Sequence, residues 1–206
     1  MLASLPSEIV KGIRLTLVFG LITGIIYPLL VTGVSQVAFP NQANGSLLKD
    51  SKGQVVGSKL IGQSFDPTNS TYFHGRPSAT LDPATGRPLP YAANNSSGSN
   101  LGPSSANLIT RVSADVARLK GSEYSVPSAG VPADSVTTSF SGLDPDISVA
   151  YAKLQAERVA RVRGLQPARV QALVDRYTQG RVLFVFGQPR VNVLQLNLAL
   201  DNGEAG

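Results

Sequence analysis

The chain has 206 residues, contains no cysteine, and carries a formal net charge of +5 with only 15% charged residues. Without cysteine it has no disulfide framework, no cysteine-ligated zinc and no cysteine nucleophile. A low charge density with scattered arginines is not typical of a nucleic-acid-binding surface, so we expect no nucleic-acid partner.

An apolar stretch without any charged residue spans residues 15–34. Roughly twenty helical residues at about 1.5 Å each cross the hydrocarbon core of a bilayer. A helix buried in a soluble protein rarely lacks a polar face over this length. A cleaved signal peptide has a shorter apolar core, followed by a small-residue cleavage site that is not evident here. The pattern therefore favours an uncleaved membrane anchor, which we assign to residues 15–38.

Small residues recur every four positions along this anchor, at Thr16, Gly20 and Gly24, and Pro28 continues the spacing. Gly20 and Gly24 form a G-x-x-x-G pattern that lets a second helix approach closely. The alternative is that glycine and proline are simply common in membrane helices. We expect a partner helix to pack on Thr16, Gly20 and Gly24, and a bend at Pro28, which lacks a backbone donor.

Basic residues stand close to only one end of the anchor. Lys11 and Arg14 precede it, whereas the first basic residue after it is Lys49. Basic flanks hold their end of a span in the cytoplasm. We therefore expect a cytoplasmic tail at 1–14, a single-pass anchor at 15–38 in the cell (inner) membrane, and an extracytoplasmic domain at 39–206.

Hydrophobic periodicity and turn residues predict a mixed α+β domain after the anchor. The predicted strands are 47–49, 54–56, 59–63, 182–186 and 191–196, and the first two are joined by a hairpin turn in which Gly53 can adopt a positive φ. The predicted helices run from Ser104 or Ser105 to Lys120, over 147–163, and from Gln166 to a stop at Gly180. Asp146 or Ser148 caps the second of these helices and Gly164 ends it, and Pro167 lies in the first turn of the third. Residues 65–103 are rich in Pro, Gly, Ser and Asn and predict a long irregular loop, although its aromatic residues argue against plain disorder.

The sequence offers little catalytic chemistry. His74 is the only histidine, so we expect a hydrogen-bonded loop residue rather than a metal ligand or general base. Asp144 and Asp146 resemble a turn and helix cap more than an acid–base pair. The segment 97–100 can hold an anion before a helix N-terminus, with Gln63, His74 and Arg76 nearby, although such a loop more often bonds to itself.

Five blocks of sequence follow one another along the chain: GSKLIGQSF at 57–65, YFHGRPSA at 72–79, SGSNLGP at 97–103, VPAD at 131–134 with SGLDP at 141–145, and GQPRVNVLQLNLALD at 187–201. Together with the N-terminal span, they resemble the C-subunit family of Kdp-type potassium-transporting ATPases. The resemblance covers nearly the whole chain.

This resemblance implies a non-catalytic accessory subunit of an ATP-driven, high-affinity potassium uptake pump. The implied partners are a channel-like potassium-binding subunit, a P-type ATPase subunit and the lipid bilayer. ATP and K⁺ are used by the complex, and no cofactor is expected on this chain. The family is described as a catalytic chaperone that raises ATP affinity, and the residues linked to nucleotide or partner are Gln63, His74, Arg76, Ser97, Gly98, Ser99 and Asn100.

The expected topology conflicts with a direct ATP contact, because it places these residues outside the cell. An indirect effect requires only that the domain binds one pump conformation better than another. The sequence also departs from the family pattern. Residues 81–90 resemble an insertion, and Ser97 stands where the family carries a glycine, which weakens the expectation of a nucleotide cradle.

Two other classes remain open. A stand-alone anchored enzyme would need a nucleophile or metal site that the sequence does not reveal. A stand-alone anchored module that binds a solute or cell-wall component would bind its ligand without partner subunits.

Overall fold

The computed structural model describes residues 5–121, 124, 126 and 130–205. Contacts divide the chain into two compact units, Met1–Leu47 and Leu48–Gly206. The first unit is dominated by one apolar helix, and the second is a mixed α+β body. The predicted fold class, an N-terminal membrane-type helix followed by an α+β domain, is therefore confirmed.

The N-terminal helix is longer than the 15–34 stretch that predicts it. It runs over Leu5–Ala38 as α1 (Leu5–Leu21), a π-helical segment (Ile22–Ile26) and α2 (Tyr27–Ala38). This 34-residue helix has a mean hydropathy of 2.1, and none of the residues in its most apolar window is buried. It is long and apolar enough to cross a membrane.

The π-helical segment lies directly before Pro28. The Tyr27 N–H donates to the Ile22 carbonyl, five residues back, and Pro28 occupies the first turn of α2. Proline has no N–H and its ring clashes with the carbonyl four residues earlier in a regular α-helix. A π turn is a recognised local adjustment inside α-helices and a site where helices bend.

Within the described residues, the second unit contains two small sheets and four of the remaining helices. The elements from the end of the anchor onward are α3 (Pro40–Ala43), β1 (Leu47–Lys49), β2 (Val55–Ser58), α4 (Ala106–Gly121), a 3₁₀ turn (Ala133–Ser135), β3 (Asp146–Ser148), α5 (Val149–Arg163), α6 (Pro167–Arg176), β4 (Thr178–Gln179), β5 (Arg190–Asn192) and α7 (Val193–Asp201). Strands β1 and β2 pair with each other, and the second sheet has the order β3–β5–β4.

The core of this unit lies between the three-stranded sheet and helices α5, α6 and α7. Ile147 of β3 faces Val191 of β5 across the sheet, and both are buried. The fully buried residues on the helices include Val159, Val174 and Leu196, which belong to the same cluster. Burying one such side chain contributes about 1.5–3 kcal/mol, so this cluster is the main source of the fold's stability.

Helix α5 begins and ends with the signals that its sequence predicts. The Ser148 hydroxyl accepts the Tyr151 N–H as the N-cap, and Gly164 adopts a left-handed φ of 68° after the last turn. The Asp134 carboxylate accepts hydrogen bonds from the N–H and the hydroxyl of Ser148, at 2.7 and 2.8 Å. The start of α5 is thereby fixed against the 3₁₀ turn.

The helix predicted over 147–163 begins at Val149, because Ile147 and Ser148 pair with β5, and the helix predicted to stop at Gly180 ends at Arg176, because Thr178 and Gln179 pair with the same strand. Two predicted strands are wrong, and a third is wrong in all but its first two residues. Residues 59–63 form a turn and extended chain without sheet pairing. Residues 182–186 form a tight turn closed by a single bridge between its ends, because Leu183 and Phe184 have φ values of 51° and 63°. Residues 193–196 are the first turn of α7 rather than a strand, because the Asn192 side chain accepts the Gln195 N–H and starts the helix.

Candidate functional site

An irregular segment, residues 70–74, lies against α5 and α7, and we call it the pinned segment. The Asn197 side-chain amide bonds both the N–H and the carbonyl of Phe73, at 2.8 and 2.9 Å. The Gln155 amide bonds the N–H and carbonyl of His74 in the same way, at 2.8 and 3.0 Å. Two side chains thus perform the bonding that a neighbouring strand would supply.

Two arginines bind the other carbonyls of the pinned segment. The Arg158 guanidinium donates to the carbonyls of Ser70 and Tyr72. Arg163 donates from Nε to the Thr71 carbonyl at 2.7 Å. Gln155, Arg158 and Asn197 are all at most 2% exposed, so these bonds satisfy groups that water cannot reach.

His74 uses its ring within its own loop. Its Nε2 lies 3.1 Å from the Asn69 carbonyl and donates to it. Burial, together with the nearby Arg158 cation, lowers the pKa of His74 below the ordinary histidine value. The ring is therefore neutral at pH 7, as expected for a hydrogen-bonded loop histidine.

Arg76 joins three loops through its guanidinium. It forms an ion pair with Asp144 at 3.2 Å and donates to the Thr138 carbonyl at 3.2 Å. Thr137 offers its carbonyl and hydroxyl at 3.5 Å, and the Tyr91 hydroxyl donates to the Arg76 carbonyl. The charge of Arg76 is therefore already compensated inside the fold.

A cleft of about 420 Å³ opens beside Arg76. Its other lining residues come from two loops: Gly98, Ser99, Asn100, Leu101, Thr138, Ser139 and Phe140. A Cβ at Gly98 would come within 2.7 Å of the Phe140 carbonyl, so the two loops approach closely only because this residue is glycine. The Thr138 hydroxyl donates to the Ser99 hydroxyl across the cleft at 3.3 Å.

The structure brings four of the predicted site residues together in this cleft: Arg76, Gly98, Ser99 and Asn100. His74 lines a neighbouring cleft of about 270 Å³ that also includes Arg76. Ser97 lines neither of these clefts, and its N–H donates to the Ser141 carbonyl at 2.9 Å.

Gln63 is not in either cleft. Its amide donates to the Val56 carbonyl at 2.7 Å and fills the space beside Gly57. Ser97 is not among the described residues with positive φ, so a serine is unstrained at this position.

Sequence reasoning missed Gln155 and Asn197. The available signal was their position, since each is a neutral polar residue on an otherwise apolar helical face. Among the described residues, no group of three metal-ligating side chains is clustered.

A long apolar helix followed by an α+β domain fits the class of single-pass membrane-anchored proteins. The family model described as K⁺-transporting ATPase, c chain (KdpC), matches residues 9–202. The chain therefore belongs to the KdpC family.

Curated relatives agree with this assignment. A protein of Methylobacterium nodulans is 52% identical over 98% of both chains. One from Rhodopseudomonas palustris is 52% identical over 94% of this chain and 97% of its own. One from Caulobacter vibrioides is 54% identical over 89% of this chain and 87% of its own. Each is named Potassium-transporting ATPase KdpC subunit.

Proposed function

We propose that this chain is the anchored, non-catalytic subunit of an ATP-driven, high-affinity potassium uptake pump in the cell membrane. Its partners are the channel-like potassium-binding subunit and the P-type ATPase subunit, which use K⁺ and ATP. The observation that carries the assembly role is the open small-residue stripe on the N-terminal helix, since such a stripe serves helix–helix contact.

The stripe is unoccupied by the chain itself. A Cβ added at Gly20 or Gly24 would meet no atom within 4 Å. A regular α-helix completes a turn in about 3.6 residues, so a residue four positions further on lies slightly past the starting face. A π turn contains more residues, which reduces this offset. The π segment at Ile22–Ile26 therefore keeps Gly24 close to the face of Gly20. This alignment supports the proposal that a partner helix packs against Thr16, Gly20 and Gly24.

Assembly is tested by pull-down of the tagged chain in mild detergent, followed by mass spectrometry of the recovered subunits. Gly20→Leu and Gly24→Leu should each lower recovery of the partner subunits at least about three-fold, because the added side chains hold the helices apart. Gly33→Leu is the matched control, since Gly33 also faces open space but lies outside the four-residue spacing. Equal recovery with all three variants would contradict the helix contact, and recovery of the chain alone from wild-type membranes would favour a stand-alone binding module.

The proposed topology has residues 1–14 in the cytoplasm, the anchor at 15–38 and the domain at 39–206 outside. The natural chain has no cysteine, so single-cysteine variants give an unambiguous label. In intact spheroplasts, a membrane-impermeant maleimide should label Ala93→Cys, an exposed domain position, but should label Ser7→Cys only after lysis. The reverse pattern would invert the topology.

We propose that the effect of this chain on ATP affinity is indirect. Arg76, the cation of the cleft, is compensated by Asp144 and bonded to Thr138, so it has little capacity left for a triphosphate. The residues that the resemblance links to nucleotide or partner, which are Gln63, His74, Arg76, Ser97, Gly98, Ser99 and Asn100, would then act by shaping the surface that binds one pump conformation.

Photolabelling separates the direct and indirect versions. In the reconstituted pump, azido-ATP should label the ATPase subunit and leave this chain unlabelled, while removal of this chain raises the KM for ATP. Specific labelling of this chain that excess ATP prevents would overturn the indirect version. An unchanged KM after removal would overturn the role in ATP affinity altogether.

A further inference from the structure

Five consecutive apolar residues protrude from the C-terminal part of the domain, at 182–186, and we call them the apolar loop. Their exposed fractions are 56% for Val182, 75% for Leu183, 95% for Phe184, 68% for Val185 and 64% for Phe186. Single exposed apolar residues are ordinary on protein surfaces, but contiguous patches mark contact with another protein or a membrane. The apolar loop is such a patch, and neither cleft of the candidate site includes it.

The backbone of the apolar loop bonds largely to itself. Val182 and Phe186 exchange both of their N–H···O bonds at 2.9 Å. The Phe184 N–H donates to the Arg181 carbonyl, and the Val185 N–H donates to the Val182 carbonyl. Within the described part of the chain, the Leu183 N–H and the carbonyls of residues 183–185 have no such bond, so the loop suits the interfacial region of a bilayer, where water and headgroups reach these groups, better than the hydrocarbon core.

The turn conformation points the apolar side chains outward. Leu183 and Phe184 both adopt left-handed φ values, 51° and 63°, which side-chain-bearing residues rarely adopt. Backbone strain of this kind clusters at sites of function, so it marks this turn as a candidate contact site. Here it places a leucine and a phenylalanine at the tip of a turn, away from the core.

We propose that the apolar loop inserts into the interfacial region of the bilayer that the N-terminal helix crosses. Residues 39–47 connect the end of α2 to the second unit and reach at most about 32 Å even when fully extended, so the second unit begins within that distance of the end of the apolar helix. Arg181 is exposed directly before the loop, where its charge complements anionic headgroups. The proposal does not depend on which side of the membrane the domain occupies.

The chemistry of the loop favours lipid over a protein partner. Protein interfaces carry about one hydrogen bond per 100–200 Å² of buried area. The five side chains of the apolar loop carry no polar atom, and four of its N–H groups already bond within the turn or to Arg181. Apolar side chains can insert into a lipid bilayer without forming hydrogen bonds, whereas a specific protein interface gains much of its specificity from hydrogen bonds.

A single-tryptophan experiment tests the proposal, because the natural chain contains no tryptophan. The full chain with Phe184→Trp is reconstituted into vesicles of phosphatidylethanolamine and phosphatidylglycerol, with and without brominated acyl chains. Phe140→Trp is the matched control, since Phe140 is 93% exposed elsewhere on the domain. Both substitutions exchange one exposed aromatic residue for another, so the fold should tolerate them.

The proposal expects emission of the Phe184→Trp variant to shift to shorter wavelength and to fall at least about two-fold in brominated vesicles, with the Phe140→Trp variant unaffected. Unquenched emission from the Phe184→Trp variant would overturn it. Equal quenching of both variants would overturn it as well, since the whole domain would then lie on the lipid. A wavelength shift without bromine quenching, seen only when the other pump subunits are present, would assign the loop to a protein partner instead.

Discussion

The pinned segment at 70–74 and the apolar loop at 182–186 are two irregular stretches of the same domain with opposite construction. The pinned segment has its backbone bonded by buried side chains of α5 and α7. The apolar loop bonds its backbone to itself and exposes every side chain. The domain therefore fixes the pinned segment through hydrogen bonds, whereas it leaves the apolar loop exposed on its surface.

This difference separates structural residues from candidate contact residues. Gln155 and Asn197 are polar and fully buried, whereas Phe184 is apolar and 95% exposed, which reverses the usual distribution. Buried polar groups persist when they are fully hydrogen-bonded, and exposed apolar groups persist when something else covers them. Gln155 and Asn197 therefore stabilise the pinned segment, and Phe184 is a candidate contact residue.

The largest expected effect comes from breaking the pinned segment. Asn197→Ala leaves the N–H and carbonyl of Phe73 buried without partners, so it should lower the free energy of unfolding by about 3–5 kcal/mol. Asn202→Ala, at an exposed position just after α7, should change it by less than about 0.5 kcal/mol. Urea unfolding of the full chain in detergent, followed by near-UV circular dichroism, measures both. Similar values for the two variants would mean that the pinned segment contributes little stability.

Two glycines with nearly the same φ test how tightly the loops around the candidate site are packed. Gly142 has φ 68° and Gly86 has φ 67°, but a Cβ at Gly142 would meet the Thr80 side chain and lie 2.6 Å from the Ser97 carbonyl, whereas a Cβ at Gly86 meets nothing. Gly142→Ala should cost about 2–4 kcal/mol of stability and Gly86→Ala about 1 kcal/mol. The same unfolding assay gives the difference, and equal costs would show that the loops relax around Gly142.

The strain in the apolar loop predicts a substitution that stabilises the protein. Leu183→Gly relieves the left-handed φ, and the gain should exceed the entropic cost of glycine by about 0.5 kcal/mol. Leu89→Gly is the control, since Leu89 is also exposed but is not among the residues with positive φ, and it should destabilise the protein by about 0.5–1 kcal/mol. Loss of stability with Leu183→Gly would mean that its side chain is packed rather than displayed.

The smallest expected effect is a change in pH dependence at His74. Burial lowers its pKa in the folded state, so below about pH 6.5 the unfolded chain binds a proton that the folded chain does not, and stability falls with acidification. His74→Gln removes this titration and should flatten the stability profile between about pH 7.5 and 5.5. Melting temperatures of the two proteins across this range test it. Parallel profiles would contradict a lowered pKa of His74 in the folded state.

Local sequence signals predicted the elements whose causes lie within a few residues. The first hairpin turns at Gly53, which has the positive φ that its turn requires. Helix α5 starts at Ser148 and stops at Gly164, and α6 starts at Pro167, as the capping residues indicated. The resemblance likewise predicted the family, because its five blocks follow in order over nearly the whole chain.

Composition and periodicity do not show the side-chain contacts and backbone angles behind the failed predictions. Residues 193–196 have strand-like composition but form a helix, and the Asn192 amide that begins this helix also bonds the Lys59 carbonyl and the Asp146 carboxylate. The cluster of Gln63, His74, Arg76 and 97–100 was only partly assembled by the fold, since Gln63 bonds to Val56 instead. The spacing of residues along the chain does not predict which backbone group a long side chain such as Gln63 will bond.

The sequence by itself determined the apolar helix, the α+β class, the start and end of α5 and the start of α6, because these depend on composition, periodicity and short-range capping, and its blocks of resemblance determined the family. Only the tertiary structure decided that residues 70–74 are held by Asn197 and Gln155, and that 182–186 remain uncovered. Burial of a given residue depends on what folds over it from distant parts of the chain. The same apolar composition therefore predicts a core strand or an exposed loop equally well until the packing is known.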